Sequence, residues 1–440
     1  MSSNEYFIAP LQRNSQCISF PEWVSLFTLC LAPLIAHVAS GAPPVSYLSP
    51  SRPKWHEHLC HYNPTSIIWR YAAITDRRIR ATRWSQNDLA ASNAIFWTAK
   101  GWDGGEDMVF TAAPHCSRCP ELTRVRIFSV TMLKTIITTL QGLAALYSLI
   151  GTLAGFTTLH FVKRMGVDML FLPLAILGLL RLCAATWLTE DFGYSPRDDG
   201  LNNMLLRRFP NLAISEHEIQ LIDPSDTLDP FLVTPLPLGA HFRSPNSSYS
   251  SRIFRVFYLL VLGGVWGVSV AYTMPAGRGQ QSRYTTTSFL VGLFYFVFLT
   301  ISIVLYTFYF FFRSQTTTTL LPCISRIWYR VYTVLLMGFI SVLIVIASIE
   351  TNMTPTGLYS SEPPIVQLEC RHLVNYLSFL PNSPFLGLAS RVEVNKTWLE
   401  QNYSSIPVAG FSGHNALLEE RYWLYNYTGY CVGRFEDTGR

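Results

Sequence analysis

The sequence predicts an all-α membrane protein: about six transmembrane helices, a cytoplasmic Trp/Arg-rich loop and a small luminal or extracellular C-terminal segment. Three observations predict it. Of 440 residues, 49% are apolar and only 14% charged, where an average globular chain carries about 25% charged residues. Mean hydropathy is +0.23. Several uninterrupted apolar stretches are long enough to cross a bilayer, and Lys and Arg are shared unequally between the segments that join them. This composition excludes a disordered chain and argues against an ordinary soluble enzyme.

A helix rises about 1.5 Å per residue, so about 20 apolar residues cover about 30 Å of hydrocarbon. Residues 135–157, 167–188, 256–274, 288–312 and 331–349 meet that requirement. A further stretch, 23–40, is shorter and carries Pro33 and His37. It reads as a span, with a cleaved signal peptide as the alternative, because Val38-Ala39-Ser40 resembles a cleavage site. Against a signal, the 22 residues before it contain Glu5 and Glu22, with Arg13 as their one basic residue.

With six spans, one side holds residues 1–22, the 158–166 and 275–287 loops and the tail 350–440. Near the membrane that side carries Arg13, Lys163, Arg164, Arg278 and Arg283. The other side carries Arg52, Lys54, Arg118, Arg124, Arg126, Arg252, Arg255, Arg313, Arg326 and Arg330. Positive loops stay cytoplasmic, which places both termini outside or in the lumen of a plasma membrane or endomembrane. The tail also holds Asn-x-Ser/Thr acceptors at Asn352, Asn395, Asn402 and Asn426, where typical composition gives about half of one. Asn395, Asn402 and Asn426 are the expected glycosylation sites. Asn352 sits close to the membrane, and Asn246 falls in a loop predicted cytoplasmic. Cys370 and Cys431 are expected to pair in that oxidising compartment.

The loop 41–131 contains 11 Lys+Arg, 7 Asp+Glu and five of the 11 Trp residues. Asn63-Pro64 reads as an N-cap followed by proline at the first helical position, opening a helix to Ile74. Ser85 caps a second helix from Asp88 to Thr98, before the glycine turn 101–105. Between them, Asp76 to Arg83 reads as a basic turn, and Arg77, Arg78 and Arg80 flanked by Trp69 and Trp84 suit contact with anionic lipid headgroups. Nothing extends this patch into a nucleic-acid-binding domain. The loop 189–255 has nine acids between Glu190 and Asp229 against three Arg, and five prolines from Pro224 to Pro245. It reads as extended chain that docks on the basic loop by complementary charge.

Two constellations carry candidate chemistry. His56 and His58, with Cys116 and Cys119, are nitrogen and sulfur donors of the kind zinc takes, although the spacing matches no standard finger. A luminal loop would instead bond Cys60 to Cys116 or Cys119. Within the spans, Arg181 is the most deeply placed charge, with His37 and Gln141 as further intramembrane polar groups. It lies too far along the chain from Asp168 to pair within one straight helix, and is read as snorkelling towards Trp187. Gly151-x-x-x-Gly155 and Gly263-x-x-x-Gly267 are read as close helix packing. No nucleotide-binding loop, metalloprotease, serine-hydrolase or kinase motif appears.

The segments Phe20-Pro21-Glu22-Trp23 to Gly41, and His61-Tyr62-Asn63-Pro64 to Trp102-Asp103-Gly104, resemble uncharacterised multi-pass membrane proteins of filamentous fungi. The resemblance covers roughly the first quarter of the chain and brings no catalytic residue with it. The functional expectation is a non-enzymatic membrane scaffold or sensor-like protein whose loops bind partners or lipid. A small-molecule transporter would gather Arg181, His37 and Gln141 in one cavity. A membrane-embedded enzyme acting on a lipophilic metabolite would place His56, His58 or Cys116 at a pocket beside the bilayer.

Overall fold

A computed structural model describes residues 6–15, 18–153, 165–195, 241–273, 282–312, 318–353, 359–361, 388–391 and 422–425. Strand β1 (Tyr6–Ile8) precedes α1 (Phe20–Gly41), followed by β2 (Val45–Tyr47), α2 (Trp55–Leu59), α3 (Pro64–Arg80) and α4 (Gln86–Asn93). Then come β3 (Ile95–Thr98), β4 (Gly101–Asp103), α5 (Met108–Thr111), β5 (Cys116–Arg118) and α6 (Val130–Leu153). The third apolar segment holds α7 (Leu172–Gly178) and α8 (Arg181–Ala184), and β6 (Gly193–Tyr194) follows it. The remaining long helices are α9 (Tyr249–Thr273), α10 (Thr286–Thr307) and α11 (Ile327–Glu350), with β7 (Ser282–Tyr284) before α10. Short strands β8 (Asn352–Met353), β9 (Tyr359–Ser360), β10 (Leu388–Arg391) and β11 (Tyr422–Tyr425) complete the order.

The chain is an all-α membrane protein. Among the described residues, six segments are long and apolar enough to cross a bilayer: Phe20–Gly41, Val130–Ile150, Val167–Trp187, Tyr249–Val270, Thr286–Phe312 and Ile327–Glu350. Helix α1 opens with a box in which Glu22 accepts from the Ser19 amide at 2.8 Å, and it buries the stripe Leu26, Cys30, Pro33, His37 and Ser40. The third segment differs from the single helix expected over 167–188. A 3₁₀ turn at Val167–Met169, α7, α8 and a further 3₁₀ turn at Ala185–Trp187 break it into pieces. Irregular backbone at membrane depth is tolerated where protein surrounds it, and half of this segment's apolar window is buried, the largest share of the six.

The bundle has two ends. At the terminal end, β1 pairs in parallel with β7. There the Asn14 amide donates to the Ile349 carbonyl at 3.0 Å, the Thr287 amide to Glu350 at 2.7 Å, and the Val167 amide to Thr351 at 3.0 Å. Both the N-terminal strand and the start of the tail therefore sit at this end. At the other, the domain end, β2, β3 and β4 form a three-stranded sheet, beside a small apolar core of Ala90, Ala91, Phe96, Met108, Phe192 and Phe242. In the tail, β10 and β11 pair antiparallel.

Two local readings change. Helix α3 starts at the expected cap, with Asn63 accepting from the Thr65 amide at 2.9 Å, but runs past Ile74 through the predicted basic turn to Arg80. Asp76 and Arg80, one turn apart, close an ion pair at 2.8 Å that continues the helix. Helix α4 starts at the Ser85 cap but ends at Asn93, because Ile95–Thr98 pairs with both β2 and β4.

Close helix packing also moves. A methyl group built on Gly263, Gly264 or Gly267 meets nothing within 4 Å, so this motif faces away from its neighbours. Gly151 and Gly155 lie where no side chain is described. A tight approach is made at Gly142 of α6, where a β-carbon would come 2.6 Å from Leu179 and 2.7 Å from the Ala175 carbonyl. Gly142→Ala should therefore lose about 1–3 kcal/mol by overpacking, while Gly264→Ala is neutral or slightly stabilising through helix propensity. Thermal unfolding of both purified variants in one detergent checks this, and equal losses at the two sites would contradict it.

Candidate functional site

A dense constellation of buried polar groups surrounds α3. All its residues but Arg78 and Ile79 are buried, although its sequence includes four arginines, an aspartate and four hydroxyl residues. Its first turn enters the bundle. Asn63 donates to Thr333 at 2.9 Å, Thr65 meets Ser302 at 3.0 Å and Tyr332 at 3.1 Å, and Ser66 meets Tyr329 at 2.7 Å. Tyr258 donates to the Ile68 carbonyl at 2.7 Å. Each of these buried hydroxyls thus has a partner, as burial requires.

Towards the end of α3, Asp76 accepts from Arg80 Nε at 2.8 Å, from Arg255 Nε at 3.0 Å and Nη2 at 2.9 Å, and from the Ser251 hydroxyl. Burial alone would raise this carboxyl. The hydrogen bonds and charges of Arg255 and the charge of Arg80 outweigh it and hold Asp76 below its ordinary value. Arg80 also pairs with Glu106 and donates to the Arg243 carbonyl. Arg77 donates to Ser92 at 3.2 Å and to the Gly104 carbonyl at 2.6 Å. Nearby, His241 contacts Asp88 at 2.6 Å.

A second cluster closes the end of α1. Arg70 donates to the Gly41 carbonyl at 2.8 Å and the Asn93 carbonyl at 2.9 Å. Arg181 donates to the Ser40 carbonyl, to Thr135 Oγ1 at 2.8 Å and to the Thr131 carbonyl at 3.3 Å. A helix C-terminus leaves carbonyls unpaired and carries partial negative charge, so two guanidinium groups suit it. Arg181 does reach towards the domain end, but at 1% exposure it is sealed in protein and does not snorkel to water. His37 lies beside it at 2% exposure, with neither ring nitrogen hydrogen-bonded. Gln141 stays partly exposed on α6.

The remaining expected site residues separate. Trp69, Arg77 and Arg80 are fully buried, so they cannot touch lipid headgroups; Arg78 and Trp84 keep partial exposure and stack at 5.5 Å. The zinc set is not assembled. His56 and His58 are on α2, where His58 contacts Tyr47 at 3.1 Å and packs on Trp102. Cys116 and Cys119 lie with β5, their sulfurs 2.8 Å apart. Among the described residues no three His, Cys, Asp or Glu side chains converge as a metal ion requires. Cys60 is buried in the bundle core and donates to the His56 carbonyl. Asn395, Asn402, Asn426, Cys370 and Cys431 lie outside the described residues.

Most of the acidic stretch expected to dock on the basic loop lies outside the described residues, and at its start Asp191 meets Arg118 of that loop at 3.3 Å while Glu190 meets Lys134 of α6 at 2.7 Å. His241 and Arg255 instead meet acids of the first loop. A cavity lined by Gly41, His61, Ser66, Arg70, Ile95 and Leu320 has a volume of about 10 Å³, room for one water and too little for an organic substrate. Burial, with the charges of His58 and Arg70, pushes His61 down to about 3 and keeps it neutral there.

Sequence reasoning missed Asp76, Arg70, Asn93 and Arg255 as partners. The one local signal was the Asp76–Arg80 spacing; the other contacts join residues far apart in the chain. Comparison with protein-family models, curated proteins and solved structures finds no match to this chain.

Asp76→Asn leaves two buried guanidinium groups without their shared countercharge and should cost about 3–5 kcal/mol at neutral pH. Because the folded carboxyl titrates below its unfolded value of about 3.9, its contribution is complete above that value and is lost as pH falls through the lower folded one. Unfolding midpoints followed into acid should therefore fall less steeply for Asp76→Asn than for wild type. Parallel acid limbs would remove Asp76 as their source.

Proposed function

We propose that the protein is a non-enzymatic membrane scaffold that holds a rigid domain against the cytoplasmic face of a plasma membrane or endomembrane, where it binds anionic lipid headgroups and protein partners. The observation that carries this reading is the rooting of the domain: α3 is buried between the bundle and the loop domain, and Asp76 joins the two through Arg255. Enzymatic work would need a substrate-sized pocket lined by reactive groups, and the polar groups around α3 are spent on one another.

The headgroup contact falls on side chains other than those expected from the sequence. Three spans begin at the domain end with exposed apolar and basic residues together. Arg124, Ile127 and Phe128 precede α6, with Phe128 99% exposed. Tyr249, Arg252 and Ile253 open α9, and Arg326, Ile327 and Trp328 open α11. Lys54 and Trp55 join the last group through the Glu57–Arg330 ion pair at 2.9 Å. Aromatic side chains at a span end mark the interface, and each adjacent basic residue adds about 1 kcal/mol of attraction to an anionic leaflet. Kinship with the fungal membrane proteins stays part of the proposal and adds no activity.

Transport of a small anion is the second reading, favoured by the broken third span that sets Arg181 beside His37. Uptake of a labelled anion into proteoliposomes, abolished by Arg181→Met, would replace the scaffold reading with this one.

Replacing Lys54, Arg124, Arg252 and Arg326 together by Gln should weaken retention of anionic lipid through purification at least tenfold, about 1.4 kcal/mol or more, while zwitterionic lipid is unaffected. Native mass spectrometry from mixed-lipid nanodiscs reads both. Equal retention of anionic lipid by the two proteins would overturn the headgroup contact.

Sidedness has its own test. Glycosidase treatment should increase mobility, and the shift should disappear only when Asn395, Asn402 and Asn426 are replaced by Gln. A shift that depends on Asn246 would invert the orientation.

A further inference from the structure

We propose that Cys116 and Cys119 form a redox-active dithiol, a reversible modification site closed by a low-molecular-weight disulfide of the glutathione class. The two sulfurs are 2.8 Å apart, well inside ordinary sulfur contact, and both residues are partly exposed, so a small disulfide can reach them. The other cysteines of the domain end are built differently: Cys60 and Cys323 are buried in the bundle core. Among the described cysteines, only Cys116 and Cys119 combine access with a partner sulfur.

The exchange balances with that oxidant alone. One cysteine, as thiolate, attacks a sulfur of the small disulfide, forming a mixed disulfide and expelling one small thiolate. The second cysteine gives up its proton and attacks the protein-side sulfur, expelling the other. Two protein S–H bonds are replaced by one S–S bond, and the small disulfide leaves as two thiols.

The spacing argues for reversible chemistry over a structural staple. Chain-entropy stabilisation grows with the length of loop closed, and this bond closes only four residues. What oxidation changes is local. The Cys119 thiol donates to Asn87 Oδ1 at 3.0 Å, and a disulfide sulfur has no hydrogen to donate. The same turn is tied to the start of α4 by Gln86 to the Glu121 carbonyl at 2.6 Å and by Trp84 to the Thr123 carbonyl at 3.1 Å. Of these three bonds, the one from Cys119 to α4 thus depends on redox state. The chemistry holds whichever side of the membrane the domain occupies, so it stands apart from the scaffold reading.

The test uses the full-length protein in detergent, equilibrated with reduced and oxidised glutathione at a series of ratios, acid-quenched, alkylated and digested with trypsin. Cleavage after Arg118 separates the two cysteines, so a Cys116–Cys119 bond appears as a linked peptide pair. The linked pair should rise with the oxidised fraction and reverse on reduction, while Cys60 and Cys323 stay alkylated. Cys119→Ser should hold Cys116 as a persistent glutathione adduct, and Cys116→Ser should do the same for Cys119. Separate alkylation of both cysteines at every ratio, or wild type that carries only glutathione adducts, would overturn the proposal.

Discussion

The carboxylate of Asp76 is the constraint on which the domain end depends. It is fully buried, and its two oxygens receive Arg80, Arg255 and Ser251. A buried ion pair is not favourable merely for being one, since desolvating the charges can cancel their attraction. Once three charges share a site, however, each depends on the others being present. Arg80 belongs to α3, Arg255 to the second turn of α9, and Glu106 to the loop domain. Three parts of the chain are therefore held to one geometry by groups that could not stay buried alone.

The arginines at the end of α1 solve a different problem. Ser40 and Gly41 end a membrane-length helix inside protein, where the last carbonyls of the helix have no intrahelical donor. Arg70 and Arg181 supply the donors, and Arg70 brings Asn93 with it. Asn93 in turn donates to the Trp187 carbonyl at 2.7 Å and accepts from the Thr189 amide at 3.1 Å. The end of α1, the end of α4 and the end of the broken third span are thereby stitched through two side chains. Here guanidinium groups serve as multi-donor caps, for which their planar fork suits them better than an ammonium.

The spans were legible because crossing a bilayer is a requirement on local composition, and composition is local information. So were the caps at Asn63 and Ser85, each of which needs only residues two or three positions away. The stretch 76–83 was misread because its meaning lies 179 residues on, at Arg255. Without that partner Arg77 and Arg80 look like a basic surface; with it they are core. The histidine and cysteine cluster failed for the converse reason. Its residues are close in one loop, but α2 turns His58 towards Trp102 while β5 pairs with β6 and carries the cysteines elsewhere. The Gly263–Gly267 motif was misleading because spacing on a helix does not tell which face meets a neighbour, whereas Gly142, in no motif, meets α7 directly.

This distribution of contacts also weighs between the two functional readings. Alternating access requires one group of helices to rock against another. Opening the domain end would separate α3 from α9, α10 and α11 together. It would break the contacts of Asn63 with Thr333, Thr65 with Ser302, Ser66 with Tyr329 and Tyr258 with Ile68, and it would expose or strand the Asp76 charges. A typical hydrogen bond contributes about 1 kcal/mol net, and one left unmade in protein costs about 1–3 kcal/mol. Such losses are coupled, since α3 and its cap make all of these contacts. A transporter would have to recover that energy in every cycle, whereas a scaffold gains from it a platform whose orientation to the bilayer is fixed.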